Sequence, residues 1–324
     1  MNATIREGLE WIAVDWGSSN LRAWALDRHG EVLARGSSQR GMLGLTAERY
    51  EAALLEVVAD WLSDDDAPVD VMVCGMAGAR QGWQEAPYRQ VPCRLESLVD
   101  GAVSPPTLRE SRLHVSLLPG LCQPRGREDV DFDVMRGEET QLAGLAALEP
   151  ALSGWACLPG THSKWARLES GTLDSFRTYL TGELYRLLAE RSVLAHSVGE
   201  DSLDDPDCRG TFLAAIDDAV ERPARVTQWL FGIRAIDLLD YGLPSDESRG
   251  RLLAARLSGL IIGLELGAVR QDLADGEAVS LIGAESLCRR YAVALEALGY
   301  PSRTLDSERV VLAGLRQARH ALHS

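Results

Sequence analysis

The sequence predicts an α/β protein made of two similar halves. Its 324 residues exceed what one hydrophobic core usually organises, so two domains are expected. Apolar runs that end at glycine, such as residues 69–74, alternate with stretches of helical periodicity, such as residues 50–61. One strand–turn–strand pattern also occurs twice, which indicates that a structural unit is duplicated.

The duplicated pattern opens each half of the chain. Residues 11–22 read WIAVDWGSSNLR, and residues 155–165 read WACLPGTHSKW. Each copy has a Trp-led apolar strand, a turn of Gly with Ser or Thr, and a second strand that carries a basic residue and a Trp. The gaps differ by one or two residues between the copies. Since Pro150 and the pair Ser153-Gly154 are typical of a boundary, we predict domains over residues 1–150 and 151–324.

The charge balance argues against one class of partner, nucleic acid. Lysine and arginine total 33 while aspartate and glutamate total 48, so the net charge is −15. An acidic surface of this kind disfavours binding to a nucleic-acid backbone. A cleft on such a protein can still be locally positive, so an anionic small substrate is compatible with the composition.

Cysteine usage and the longest apolar run predict the compartment. The six cysteines are far apart, form no CxxC pair, and are typical of buried residues in a reducing compartment. No basic segment leads into an apolar one at the N-terminus, so no signal peptide is predicted. The run at residues 257–269 is broken by Ser258 and Glu265 and is too short to span a bilayer. We expect a cytoplasmic protein without a membrane partner, and the sequence leaves a homo-oligomer open.

The two glycine turns have the composition of phosphate-binding turns. Backbone N–H groups and hydroxyls in such a turn can point at a phosphate with little bulk in the way. Asp15 stands just before the first turn, where a carboxylate can bind a hydrated Mg²⁺. The alternative is a hairpin in which Asp15 only hydrogen-bonds its own turn. No GxxxxGK[ST] motif is present, so the chain is not a P-loop protein.

Lys164 is the only lysine in the chain; all other basic residues are arginine. It follows the second glycine turn directly. A compact ammonium group at this position would suit a phosphate better than a planar guanidinium would. The alternative is that one surface lysine is present there by chance.

Taken together, the motifs resemble the 2-dehydro-3-deoxygalactonokinase family of the sugar kinase, Hsp70 and actin superfamily. The stretches that carry the resemblance are DWGSSNLRAW, GMAGARQGWQEAPY, PGLC, VMRGEETQLAG, LPGTHSKW and FRTYLTGELY, with weaker agreement at VSLIGAESLC and VVLAGL. The resemblance implies two ribonuclease-H-like domains of the actin-like ATPase fold flanking an ATP cleft. It also implies transfer of the γ-phosphoryl group of ATP, with Mg²⁺, to the primary hydroxyl of 2-dehydro-3-deoxy-D-galactonate in galactonate catabolism.

The same resemblance assigns the nucleotide site. It implies that Asp15 binds the metal and that three short motifs bind ATP: the first turn (Gly17, Ser18, Ser19 and Asn20), the second turn (Gly160, Thr161 and His162) and an adenosine motif (Gly283 and Ala284).

Catalytic and substrate residues are implied in the same way. Glu139-Thr140 stands where the hexokinase branch of the superfamily has an Asp-Thr pair that supplies the base, with Glu138 as the rival. A carboxylate that merely complements the helix dipole is the alternative. Lys164 would neutralise the transferring phosphoryl group. The sugar-acid carboxylate needs a cation, so the substrate-side candidates are Arg80, Arg136 and Arg177, together with Arg22 and Trp83.

Several alternatives stay open on the sequence alone. The chain could be a kinase of the same fold that acts on another sugar or sugar acid. It could be a sugar-responsive sensor without catalysis or a polymerising actin-like protein. The remaining alternative is an α/β protein that binds no nucleotide.

Overall fold

The structure, a computed structural model, describes residues 2–63, 68–106, 108–124 and 132–324. The composition of the acidic run at residues 64–66 and of the polar stretch 123–133 predicts a loop in each place. The whole of the first and residues 125–131 of the second lie outside the described residues. The chain divides into two compact units. The first comprises Met1–Ser153, Arg167–Phe176 and Asp306–Ser324, and the second comprises Gly154–Ala166 and Arg177–Leu305.

The first unit is built around a five-stranded sheet. Its helices and strands are, in chain order, α1 (Asn2–Gly8), β1 (Trp11–Trp16), β2 (Leu21–Leu26), β3 (Val32–Ser38), α2 (Tyr50–Val58), β4 (Val69–Gly75), β5 (Tyr88–Gln90), β6 (Cys93–Arg94), β7 (Leu113–Leu117), β8 (Gly120–Gln123), β9 (Asp133–Met135) and α3 (Glu138–Leu148). The sheet order is β3–β2–β1–β4–β7, in which β1, β2 and β3 are antiparallel and β4 and β7 run parallel to β1. A smaller sheet has the order β5–β8–β9.

The second unit repeats this arrangement. The remaining elements are β10 (Ser153–Leu158), β11 (Ser163–Glu169), β12 (Thr172–Tyr179), α4 (Thr181–Arg191), α5 (Pro206–Glu221), α6 (Val226–Leu239), α7 (Glu247–Val269), β13 (Val279–Ile282), α8 (Glu285–Ala297), β14 (Ser302–Leu305) and α9 (Ser307–Leu322). Ser153, residues 167–176 of β11 and β12, and α9 are counted with the first unit, and the rest with the second. The second sheet has six strands in the order β6–β12–β11–β10–β13–β14, with β13 parallel to β10 and to β14. Both sheets contain three neighbouring strands that are consecutive in sequence, β1–β3 in the first sheet and β10–β12 in the second. Two later strands extend each sheet on the side of the first of these three, β4 and β7 beside β1, and β13 and β14 beside β10. The α/β class is confirmed, and the matching sheet orders agree with a duplicated unit.

The compact units do not follow chain order, whereas the predicted domains 1–150 and 151–324 do. Helix α9 and residues 167–176, which the prediction assigned to the second half, are counted with the first unit. Within the first unit, the first two residues of β12 pair with β6: Thr172 lies opposite Arg94, and Leu173 lies opposite Cys93. The physical reason lies in the apolar face of α9, which packs against the first sheet through Val311 and Leu315.

Helix α7 is longer than the apolar run that marks it in the sequence. Its 23 residues make it the one helix of the described chain that is long and apolar enough to cross a membrane. However, 72% of its most apolar window is buried inside the protein. Leu257, Leu260 and Leu266 belong to the hydrophobic core of the second unit, which explains the apolar composition.

Helices α3 and α9 cross unusually closely within the first unit. A Cβ atom at Gly144 would lie 1.8 Å from the carbonyl oxygen of Val310, and one at Gly314 would lie 2.0 Å from that of Thr140. No side chain fits at either position unless the backbone moves. The crossing therefore depends on these two glycines, and it fixes the first turn of α3.

We expect Gly314→Ala to lower the free energy of unfolding by about 1–3 kcal/mol, because the added methyl group must force the two helices apart. Gly210→Ala in α5 is the matched control, since a Cβ atom there meets nothing within 4 Å. This control should raise stability by about 0.5–1 kcal/mol, the usual gain when alanine replaces a helical glycine. Urea denaturation measures both changes, and wild-type stability in Gly314→Ala would contradict the close crossing.

Candidate active site

The carboxylate of Asp15 lies near the end of β1, beside β2 and β4. The strand register places Asp15 opposite Arg22 on one side and Cys74 on the other. Arg22 donates from Nη2 to Asp15 Oδ2 at 2.6 Å, and Cys74 Sγ lies 3.9 Å from Oδ1. The Asp15 side chain is 21% exposed. Arg22, a predicted substrate residue, is thus bound to the predicted metal ligand.

The first glycine turn is held by its backbone and exposes its hydroxyls. Gly17 N–H donates to the carbonyl of Asn20 at 2.8 Å, while Ser18, Ser19 and Asn20 are exposed. The backbone N–H groups of residues 42 and 43 donate to the carbonyls of residues 17 and 18 at 3.1 and 3.0 Å. A Cβ atom at Gly41 would lie 2.3 Å from the Ser18 carbonyl oxygen, so only glycine allows this approach.

Glu139 is fully buried at the start of α3. Its Oε2 accepts from Gly137 N–H at 2.6 Å, and its Oε1 accepts from the Thr140 hydroxyl at 3.2 Å. Burial, followed by the charge of Glu138, raises the pKa of Glu139 to about 8 from an ordinary value of 4.5. Glu138 itself is only half-buried. A carboxyl group with this pKa changes its protonation state near neutral pH, as a general base requires.

Cys74 connects the surroundings of Asp15 and Glu139. Burial raises the pKa of its thiol well above the ordinary value, and the nearby charges of Asp15 and Glu139 raise it further. The thiol is therefore protonated and unreactive. The structure thus brings together two predicted site residues that are 124 positions apart, the difference between 139 and 15.

The second glycine turn, between β10 and β11, rests on the start of α4. Thr161 and His162 are exposed; Glu183 N–H donates to the Thr161 carbonyl at 2.9 Å, and the Glu183 carboxylate lies 2.6 Å from His162 Nε2. A Cβ atom at Gly182 would lie 2.3 Å from the carbonyl oxygen of Gly160. Each turn thus lies directly against a glycine from a neighbouring segment.

Lys164 is buried beside this turn. Its Nζ donates to the His162 carbonyl at 3.1 Å, so the ammonium group folds back along the turn. A buried ammonium group is costly, and nearby polar groups must compensate for the lost water. This placement is compatible with the predicted role of Lys164 and does not test it.

Sequence reasoning missed Glu265, which organises the polar interior behind the second turn. Glu265 is buried in α7, and its carboxylate accepts from Trp165 Nε1 at 2.6 Å, from the Tyr291 hydroxyl at 2.8 Å and from the Thr181 hydroxyl. The hydroxyls of Ser163 and Tyr291 are 2.8 Å apart. Burial raises the pKa of Glu265, while the hydrogen bonds from these donors act to lower it. A glutamate inside an apolar helix was the available signal, because such a residue is rarely buried without partners.

The predicted adenosine motif lies next to the second turn. A Cβ atom at Gly283 would lie 3.1 Å from the carbonyl oxygen of Pro159, and Ala284 is exposed at the start of α8. A cavity of about 140 Å³ opens beside them, with Gly160, Ile262, Leu287 and Arg290 in its wall. Mostly apolar walls with a few polar groups are typical of small-molecule sites.

The remaining substrate-side candidates have very different surroundings. Trp83 is 5% exposed and stacks on Tyr50 with ring centroids 6.0 Å apart, so most of its ring packs in the core, while its remaining surface lines an open pocket with Glu51. Arg80 has an 80% exposed side chain. Arg177 forms a bidentate ion pair with Asp272 in the second unit. Arg136 is buried.

No cluster of three or more His, Cys, Asp or Glu side chains suited to a metal occurs among the described residues. Mg²⁺ does not require such a cluster, because it often binds through one or two carboxylates, water and substrate phosphates. Asp15 fits this chemistry, since its carboxylate offers hard oxygen ligands and is 21% exposed, although Oδ2 is also paired with Arg22.

We expect Glu139→Gln to remove a pH dependence of stability. Above about pH 4.5 the unfolded chain releases the Glu139 proton while the folded protein keeps it, so the free energy of unfolding falls as pH rises toward 8. The variant should therefore gain at least about 1 kcal/mol relative to wild type between pH 5 and pH 8. Urea denaturation at both pH values measures this gain. Equal pH dependence in wild type and Glu139→Gln would contradict the buried neutral carboxyl. Glu138→Gln, which removes the second cause of the raised pKa of Glu139, should weaken the pH dependence without abolishing it.

Comparison with known proteins identifies the family. A model of the 2-keto-3-deoxy-galactonokinase family matches residues 15–318. A probable 2-dehydro-3-deoxygalactonokinase of Rhizobium meliloti (strain 1021) is 38% identical over 316 residues, which are 96% of this chain and 97% of the relative. The 2-dehydro-3-deoxygalactonokinase of Escherichia coli (strain K12) is 35% identical over 314 residues, 96% and 98% of the two chains. A crystal structure of a candidate 2-dehydro-3-deoxygalactonokinase from Sinorhizobium meliloti superposes with a TM-score of 0.84 at 37% identity, covering 96% of this chain and 99% of that one. The chain belongs to the 2-keto-3-deoxy-galactonokinase family.

Proposed function

We propose that this protein transfers the γ-phosphoryl group of ATP to the primary hydroxyl of 2-dehydro-3-deoxy-D-galactonate, in the breakdown of galactonate. The main support is that Asp15 and Glu139 both lie near Cys74: its thiol is 3.9 Å from Asp15 Oδ1, and the charges of both carboxylates act on it. Phosphoryl transfer uses one carboxylate for the metal and another as the base. Relatives at 35% and 38% identity over nearly the whole chain support the choice of substrate.

Glu139 is the base of the proposed reaction. Thr140 and Gly137 hold its two oxygens in place, so the carboxylate keeps one orientation as the hydroxyl approaches. Once deprotonated, Glu139 accepts the proton of the primary hydroxyl while the phosphoryl group leaves ATP. Because burial raises its pKa to about 8, the active fraction increases with pH through the neutral range.

The two glycine turns are the phosphate-binding segments of the proposal. The hydroxyls of Ser18, Ser19 and Thr161 and the backbone N–H groups beside them donate to phosphate oxygens, while Lys164 neutralises the transferring group. Asp15 would hold Mg²⁺, which neutralises charge on the phosphates when bound. Gly283 and Ala284 leave room for the base of the nucleotide.

The proposal includes a cellular setting. We place the protein in the cytoplasm with a small sugar acid as its partner, and without a nucleic-acid or membrane partner. The net charge of −15 and the burial of α7 support this setting. A homo-oligomer is compatible with it.

The direct test measures ADP release from ATP and Mg²⁺ with a panel of 2-keto-3-deoxy sugar acids. We expect 2-dehydro-3-deoxy-D-galactonate to give the highest kcat/KM, and mass spectrometry to find the phosphate on its primary hydroxyl. Boiled enzyme and a reaction without sugar are the controls. A higher kcat/KM on another sugar acid would replace the proposed substrate, and no turnover of any member would refute the proposal.

Replacing the proposed base should separate Glu139 from Glu138. Glu139→Gln keeps the shape but cannot accept the proton, so kcat should fall by roughly 10²–10⁴ while the affinities for ATP and sugar acid are largely kept. Glu138→Gln is the matched control and should lose far less, although its activity profile should shift toward lower pH because the charge that raises the pKa of Glu139 is gone. A large loss in Glu138→Gln alone would reverse the two roles.

A further inference from the structure

The guanidinium group of Arg136 is buried with most of its donors unused. Arg136 follows β9 directly and is 8% exposed. Its Nη2 donates to the Ala86 carbonyl at 2.8 Å, but the buried Nε and Nη1 have no hydrogen-bond partner in the part of the chain that the structure describes. Burying a charge without partners is unfavourable, so an arginine in this state requires an explanation.

The residues around Arg136 enclose its guanidinium group without accepting hydrogen bonds from Nε or Nη1. The Tyr88 ring lies 4.3 Å from Cζ, and ring faces attract cations but accept no ordinary hydrogen bond. On another side, a Cβ atom at Gly78 would lie 2.9 Å from Nη1, so the space for the guanidinium depends on a missing side chain. Gly78 and Ala86 come from the segment that connects β4 with the small sheet, and Tyr88 is the first residue of β5 in that sheet.

Arg136 is distinguished from the other candidate arginines by these free donors. Arg22 donates to Asp15, Arg177 pairs with Asp272, and Arg80 is mostly in solvent. Arg136 also lies within electrostatic range of Glu139, since its charge acts to lower the pKa of that carboxyl group. It is therefore the buried cation next to the proposed base.

We infer that Arg136 binds the carboxylate of the sugar-acid substrate and thereby selects acids over neutral sugars. The inference rests on the proposed function. A carboxylate offers only acceptors, which match the unused N–H groups of a guanidinium, and it would neutralise the buried charge. Glu139 then receives the proton at the hydroxyl end of the same molecule while Arg136 holds the acid end. A phosphate of ATP has the same acceptor chemistry, so the test must separate these two anions.

The test compares 2-dehydro-3-deoxy-D-galactonate with its methyl ester, which keeps the primary hydroxyl but loses the charge. Wild-type enzyme should prefer the acid by about 10–10²-fold in kcat/KM, the usual value of hydrogen bonds to a charged group. Arg136→Met should remove this preference by raising KM for the acid far more than KM for the ester. The readout is the ratio of the two kcat/KM values, because losing the charge that lowers the pKa of Glu139 affects both compounds alike. Arg94→Gln, which changes an arginine with a 64% exposed side chain outside the predicted site residues, should keep the preference.

Thermal melting and a second variant distinguish a loss of substrate binding from a loss of folding. The melting temperature of free Arg136→Met should stay close to that of wild type, because few contacts are lost, while the rise on adding the sugar acid should disappear. If Arg136→Met does not fold, Arg136→Lys replaces it; this variant keeps the charge and should retain a reduced preference for the acid with a higher KM.

The possible results separate the inference from the proposed function. If wild type phosphorylates the acid and the folded Arg136 variant keeps its full preference, the inference is wrong and the function stands. A variant that loses ATP affinity while its KM for the acid is unchanged assigns Arg136 to the nucleotide phosphates and also overturns the inference. Absence of wild-type turnover on both compounds rejects the proposed function itself, and calorimetric binding of the acid to wild type and variant then decides the inference alone.

Discussion

The parallel pairing of β1 with β4 is the constraint on which the candidate site depends. Its register sets Asp15 beside Cys74 and Trp16 beside Gly75. Gly75 has a φ of +89°, and a Cβ atom there would lie 2.6 Å from the carbonyl oxygen of Trp16. Only glycine allows β4 to turn away at this point. Gly137 lies against the same spot, with a φ of +110° and a calculated Cβ position 3.4 Å from the Gly75 Cα. This close packing lets α3 begin at the end of both strands, where Glu139 meets the surroundings of Asp15.

The two glycine turns have the same form but different supports. The first is supported mainly by backbone hydrogen bonds from residues 42 and 43. The second is backed by the buried carboxylate of Glu265, which binds donors on β11, α4 and α8. A duplicated unit thus retains the turn while its two copies are stabilised by different chemistry, one by main-chain atoms and the other by a buried polar network.

The sequence predicts those features that depend on residues close together in the chain. The strand ends, the two glycine turns and the α/β class all follow from local apolar patterns and from Gly with Ser or Thr. The sequence does not predict contacts between residues that are far apart in the chain. Examples are the packing of α9 in the first unit, the ion pair of Arg177 with Asp272, and the stacking of Trp83 on Tyr50. The identity of an arginine or a tryptophan in a motif does not reveal whether its side chain contacts a ligand or another part of the protein. The assignments of individual site residues therefore stay predictions, although the family is shown.

The close crossing of α3 and α9 also has a consequence for how the chain folds during synthesis. Helix α3 ends at Leu148 and α9 begins at Ser307, so the whole second unit is translated between the two partners. Until the ribosome has made the last helix, the apolar residues that α9 covers on the first sheet, such as Trp11 and Trp24, lack this cover. Domains usually fold as they emerge from the ribosome, N-terminal first, but here the N-terminal unit cannot be completed in that order. The packing of α9 on the first sheet is a contact of very large sequence separation, so it can form only after residues 154–305 have been translated.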